Sequence, residues 1–223
     1  MLRILAALSI PFAIGSVPQH ETQPNYGHAA AAISSSAAWD RLAAGNRRYV
    51  RGQLEHPHQS PKRRTEVALK QKPFAIVLTC SDSRVPPEVV FDQGIGDLFV
   101  VRVAGNIVDD SGLASIEYAV EHLGARFILV MGHSACGAVE AAMASDSDEG
   151  HLASVLGPIR ASWHNLADHG GMTLAQAIQR NVRQSAYEVK MSEPLFSHWV
   201  QPGKVKIVGA YCNLATGKVT LVQ

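Results

Sequence analysis

Cys80-Ser81-Asp82-Ser83-Arg84 and, further along, His133-Ser134-Ala135-Cys136 are the segments of this chain whose residue types and spacing can do chemistry. Two thiols and an imidazole, each beside a short loop, are donors that a zinc ion prefers. A closed structural site takes four Cys or His ligands. Three leave one coordination position open, and Asp82 and Arg84 stand beside it. Such a site is suited to binding, releasing or activating something at the fourth position. Arg84 carries a guanidinium that stays charged and can grip a carboxylate with two parallel hydrogen bonds, which makes Asp82 its natural partner.

The elements that must position these groups alternate between strand and helix. Phe74–Thr79, Leu98–Val103 and Phe127–Met131 are continuous apolar runs, the pattern of strands buried on both faces of a parallel sheet. Helical spacing marks Ala38–Val50, Thr65–Lys70, Ser111–Leu123, Ala135–Ala144, Leu152–Asp168 and Thr173–Met191. A further helix opens at Pro86-Pro87-Glu88, and His56–Pro61 reads as a loop and Asp146–Glu149 as an acidic turn. A last strand, Val205–Tyr211, turns through Thr216-Gly217 into Val219–Val222. The expected fold is therefore α/β, one domain with a mainly parallel sheet flanked by helices. Cys80 ends the first strand and His133 the third, and sites in open parallel sheets form at the carboxyl ends of strands. Cys136 falls in the first turn of the next helix, whose positive end favours a thiolate.

Composition narrows the function classes. A formal charge of +1, with no long run of Lys or Arg, leaves no electrostatic footprint for nucleic acid. The chain is 47% hydrophobic and 17% charged, consistent with one sizeable core. Met1-Leu2-Arg3 followed by the apolar run Ile4–Ile14 and Gly15 reads as an export signal, too short to span a bilayer. The expected organisation is a signal at 1–15, a leader at 16–36 and the domain at 37–223, with the mature protein expected to be exported, to the periplasm. No membrane span is expected once the signal is removed. Three cysteines, an odd number, fit metal ligation better than a disulfide framework, with Cys212 as a small core residue.

Other strings fail as motifs. Gly132–Gly137 places its second glycine one position late for a nucleophile elbow. Gly94-Ile95-Gly96 leads into a strand rather than a helix, against a dinucleotide site. A Cys–His hydrolase pair of Cys136 and His133 would leave Cys80, Asp82 and Arg84 idle.

Cys80-Ser-Asp-Ser-Arg84-Val-Pro, Gly94-Ile-Gly-Asp-Leu-Phe-Val-Val-Arg102 and Gly132-His-Ser-Ala-Cys-Gly137 together resemble the β-class carbonic anhydrases. The likeness extends from the Asn46–Tyr49 helix to the Gly209–Tyr211 strand. It implies one zinc per chain on Cys80, His133 and Cys136, with water at the fourth position in an open state or Asp82 there in a closed one. It also implies that Asp82 and Arg84 are catalytic and that Gln71, Phe99 and Tyr118 bind substrate. Gln71 and Tyr118 would act across a subunit boundary, in a homodimer or dimer of dimers. The implied reaction is the reversible hydration of carbon dioxide to bicarbonate and a proton. Carbonyl sulfide or carbon disulfide hydrolysis, and a non-catalytic zinc protein, stand as alternatives. Zinc held by neutral histidines, as in the histidine-ligated carbonic anhydrases that supply the figure, lowers the pKa of its water to about 7. Two thiolates cancel the metal's charge, so activity is expected to favour alkaline pH. One branch of the family closes in response to bicarbonate through a tryptophan three residues before the first cysteine. Val77 stands there and offers no donor, so Asp82 is expected to stay paired with Arg84.

Overall fold

Five strands form one sheet in a computed structural model that describes residues 33–145, 150–163 and 171–222. The strands are β1 (Ala75–Thr79), β2 (Leu98–Arg102), β3 (Phe127–His133), β4 (Lys206–Cys212) and β5 (Val219–Val222), in the spatial order β2-β1-β3-β4-β5. The first three pairings are parallel and only β4–β5 is antiparallel, as a mainly parallel sheet requires. All five residues of β1 and all seven of β3 are buried, which is why both read as unbroken apolar runs.

Alternation along β1 and β3 divides the core. Ile76, Leu78, Ile128 and Val130 face a layer built from α4 (Asp110–Glu121) and α7 (Leu174–Met191). Ala75, Val77, Phe127, Leu129 and Met131 face α1 (Ser35–Arg51), which contributes Ala38 and Leu42. Cys80 has the same parity as Ile76 and Leu78, so the period of two sends its side chain to the α7 side. There it joins Cys136, Val139, Ile159 and Ile178 in a third cluster, under α5 (Gly137–Ala144) and α6 (Ala153–Ala161).

Local chemistry explains where elements start and stop. Thr173 and Gln176 close a capping box that begins α7. Ser60 caps α2 (Pro61–Val67), whose proline sits in the first turn, so this helix starts four residues ahead of the expected Thr65. The helix opened by Pro86-Pro87 is a single turn, α3 (Pro87–Val90). β3 runs on past Met131 to His133 because β4 pairs with it as far as Cys212. A short π-type turn, Phe196–Val200, carries no periodic signal and was not expected. α1 begins at Ser35, just inside the span read as leader, with Ser34 as its cap. Residues 16–32 of that leader, the signal, the acidic turn Asp146–Glu149 and the end of the Leu152–Asp168 segment (164–168) lie outside the described residues.

A buried carboxylate ties α1 to the connection leading into β2. Asp92, its side chain 1% exposed, accepts the backbone N–H groups of Glu55 and His56 at 3.0 Å each and the Arg48 guanidinium at 2.5 Å. Close approach of the two segments needs Gly45, where a Cβ would stand 1.7 Å from the Phe91 carbonyl oxygen. Burial opposes the charge on Asp92, but the Glu55 amide, Arg48 and the His56 amide outweigh it and hold its pKa down. A depressed folded-state pKa means the stabilisation is complete above the unfolded value, about 3.9, and is lost as pH falls through the lower folded value. Asp92→Asn is expected to lower stability by about 3 kcal/mol at pH 7, with Arg48 left only its longer contacts to Glu55 at 3.6 Å and the residue 92 carbonyl at 3.4 Å. Urea unfolding of both proteins should show the gap narrowing below about pH 4.

Candidate metal centre

Cys80 stands one residue past β1, His133 is the last residue of β3, and Cys136 is the N-cap of α5. Because β1 and β3 are parallel neighbours, their carboxyl ends lie side by side. The two sulfurs and an imidazole nitrogen come within 4.8 Å of one another, and all three residues are buried. They are the only such trio of His, Cys or acidic side chains found among the described residues.

Each ligand is aimed by its surroundings. His133 Nδ1 bonds the Ser134 carbonyl oxygen at 2.9 Å, which makes Nδ1 the protonated nitrogen and turns Nε2 toward the sulfurs. Ser134 is itself pinned, donating its N–H to the Cys212 carbonyl and accepting the Leu214 N–H on Oγ, both at 2.9 Å. Cys80 Sγ accepts the Gly105 N–H at 3.2 Å. Gly105 lies at φ +70°, a conformation that favours glycine, and a Cβ on it would also stand 2.5 Å from the Ile159 Cδ1 methyl, which would have to shift. Asn181, on α7, donates to the Gly105 carbonyl at 2.6 Å and holds that turn from behind.

The donor set fits a divalent soft metal. Buried His133 Nε2 has no hydrogen-bond partner of good geometry, an orphan that a metal bond would satisfy. The Cys80 thiol is pulled down, first by Cys136 beside it, against its burial, and then by His133 and the Asp82 and Gly105 amides. Cys136 is pushed up by the neighbouring Cys80 and by burial, although the Val139 and Ala138 amides at the start of α5 favour its anion. Two buried thiols this close ionise together only when a cation sits between them, and zinc thiolate bonds supply that. Burial works against a charged His133, yet its contacts with Cys80 and the Ser134 carbonyl carry its pKa up. Cys212, by contrast, is raised to about 11 by burial and belongs, as expected, to the core cluster that also holds Leu129 and Met131.

Asp82 and Arg84 pair as read from the sequence. Arg84 gives Nε to Oδ1 at 2.9 Å and Nη2 to Oδ2 at 2.6 Å, and its backbone N–H also reaches Oδ1 at 2.9 Å. The same Nη2 donates to the Ala135 carbonyl at 3.1 Å, so one guanidinium bridges the loops after β1 and β3. Arg84 holds the Asp82 carboxyl well below the usual carboxylate range, more than offsetting its burial. Asp82 Oδ2 lies 3.8 Å from His133 Nε2, next to the three donors while remaining in Arg84's grip.

The other three residues picked out in the sequence lie elsewhere in the chain. Gln71 is exposed ahead of β1, at the strand end opposite Cys80. Phe99 is in register with Ile76, about 13 Å of strand short of Cys80. Its ring meets that of Tyr118 at 6.5 Å, and Tyr118 meets His122 at 5.2 Å. Ser134, Gly105 and Asn181 were not singled out as site residues. Only Asn181 carried a signal of its own, as an amide within the buried stripe Ala177, Ile178, Val182 of α7.

Comparison with known proteins agrees with the geometry. Residues 75–219 match the family described as carbonic anhydrase. Carbonic anhydrase 2 of Mycobacterium tuberculosis is 39% identical over 189 residues, covering 83% of this chain and 91% of its own. The carbonic anhydrase of Mycolicibacterium smegmatis is also 39% identical, over 83% of this chain and 92% of its own. Among solved structures, a Coccomyxa β-carbonic anhydrase in complex with acetazolamide superposes with a TM-score of 0.66 at 27% identity, covering 84% of this chain and 82% of that one. One of two tetrameric β-carbonic anhydrases from Sordaria macrospora gives 0.65 at 27% identity, over 84% and 94%. With its thiol–imidazole–thiol trio at the carboxyl edge of a mainly parallel sheet, this chain belongs to the β-class carbonic anhydrase family.

Proposed function

We propose that the chain hydrates carbon dioxide reversibly at one zinc ion held by Cys80, His133 and Cys136, with Asp82 and Arg84 as its catalytic pair. The observation that carries this reading is the trio within 4.8 Å, with Asp82 Oδ2 at 3.8 Å from the inward imidazole nitrogen. Zinc, when bound there, supplies the Lewis acidity that makes water a nucleophile near neutral pH. Arg84 holds Asp82 back, so that the carboxylate serves as an acceptor beside the reacting oxygen rather than as a fourth ligand. An ionised Asp82 takes a hydrogen bond from that oxygen and directs the remaining lone pair toward carbon dioxide. A new carbon–oxygen bond gives bicarbonate, and the proton passes to solvent. With two thiolates offsetting the metal's charge, activity rises toward alkaline pH.

Assembly completes the pocket in this reading. Gln71 and Tyr118 serve a site in a neighbouring copy, in a homodimer or dimer of dimers, and Phe99 lines the apolar wall. Three features support this. Gln71 lies at the wrong end of β1 to serve its own Cys80, β2 is an edge strand among the described residues, and the Sordaria relatives are described as tetrameric. The same reading places the protein outside the cytoplasm, in the periplasm, on the strength of the charged and apolar start Met1–Ile14. Among the described residues no helix is long and apolar enough to cross a membrane.

Stopped-flow carbon dioxide hydration on zinc-quantified protein tests the centre. Wild type should carry about one zinc per chain, and Cys80→Ser or Cys136→Ser should lose metal and activity together. Arg84→Ala should keep zinc and lose about 100-fold or more in kcat, because Asp82 is freed toward the metal position. Full activity in zinc-free protein would refute the assignment. For the assembly, sedimentation at assay concentration should show a dimer or larger. Gln71→Ala should lower kcat/KM about 10-fold at unchanged zinc content, whereas a fully active monomer would count against shared sites. N-terminal sequencing of native protein should begin near Ser16; a start at Met1 would overturn export.

A further inference from the structure

The turn that carries both Cys80 and Asp82 has only a few backbone bonds of its own beyond the end of β1. Its amide at Ser81 donates to the Val103 carbonyl at 3.3 Å, and Val103 donates back to Thr79 at 3.1 Å, extending the β1–β2 ladder to Cys80 and no further. Past that point the next strand reaches over with a side chain. Arg102, the last residue of β2, gives Nε to the Cys80 carbonyl at 3.0 Å and Nη2 to the Asp82 carbonyl at 2.6 Å. No carboxylate pairs with Arg102 among the described residues. A half-buried guanidinium is therefore committed to two peptide oxygens, one belonging to a ligand residue and one to the carboxylate residue.

We infer that Arg102 is a positioning residue for the reaction: its planar fork spans the carbonyls of Cys80 and Asp82 and sets the separation of the thiolate from the carboxylate. This rests on the zinc reading above. Two physical points carry it. Charge-assisted bonds from a rigid fork impose geometry as well as energy, and a lysine point charge cannot reproduce the spacing of the two donors. Partners that orient a metal ligand from outside its coordination sphere commonly affect affinity or rate by about 10- to 100-fold when removed. Arg84 acts on the carboxylate end of this turn and Arg102 on its backbone, so the two arginines are not interchangeable.

The test compares Arg102→Gln and Arg102→Lys with Arg41→Gln, which removes an ion pair to Asp97 at 2.9 Å within the α1 to β2 connection. Zinc release from the holoenzyme to excess chelator should be about 10- to 100-fold faster in Arg102→Gln. Its kcat should fall while KM stays near wild type. Arg102→Lys should lie between, and Arg41→Gln should lower Tm without changing either readout. Hydrogen exchange at the Ser81 and Arg84 amides gives a readout that does not depend on metal, and it should quicken only in the Arg102 variants. Wild type without zinc would refute the metal reading, and the exchange data would still decide the role of Arg102. Arg102→Gln that loses thermal stability but keeps wild-type zinc release, kcat and exchange would overturn it. If that variant does not fold, Arg102→Lys with wild-type values in all three would do the same.

Discussion

Two thiols and an imidazole buried within 4.8 Å of one another are costly unless something compensates their charge and unsatisfied donors, and most of the fold around them serves that compensation. Ionised sulfurs repel each other in a low-dielectric setting, so the trio is stable only with a cation among them or with protons retained. Amides at the start of α5 face Cys136, the Gly105 amide faces Cys80, and among the described residues no carboxylate side chain joins the trio itself. The nearest carboxylate, Asp82, is neutralised by Arg84 before it can add to the negative charge.

The polar bonds at the site join elements that are distant in the chain. Arg84 links the loop after β1 to the loop after β3 through the Ala135 carbonyl. Ser134 links the β3 loop to the β4–β5 hairpin through Leu214. That hairpin is in turn held by Asn46 of α1, which donates to the carbonyls of Val90 and Gly217 and accepts the Val219 amide. Displacing α1 would therefore disturb the end of α3 and the hairpin together, although α1 supplies no donor to the trio. Rigid support of this kind is what holds catalytic groups close to their working geometry.

Alternation in β1 explains why one strand can serve both the core and the chemistry. Ile76 and Leu78 pack under α4 and α7, and Cys80 continues the same face into the cluster below α5 and α6. Asp82, beyond the ladder, escapes burial by turning with the loop, and its side chain is 17% exposed. A buried member of the trio and a partly exposed carboxylate are thus separated by one residue, Ser81, in a single turn.

Much of this was legible in the chain itself. Unbroken apolar runs identified β1 and β3 because both faces of those strands are buried, and strand-end placement located Cys80 and His133 on one edge. The Asp82–Arg84 pairing could be read because residues two apart in a turn can meet without help from the rest of the fold. What the tertiary structure alone decided are the contacts made across long stretches of chain: Asn181 on the Gly105 carbonyl, Ser134 under the Leu214 amide and the Arg102 fork over Cys80 and Asp82. No local pattern encodes them, since each depends on the register of neighbouring strands or on how closely α7 lies against the sheet. Residue types and short-range spacing determined which groups could do chemistry; strand order and packing determined which of them meet.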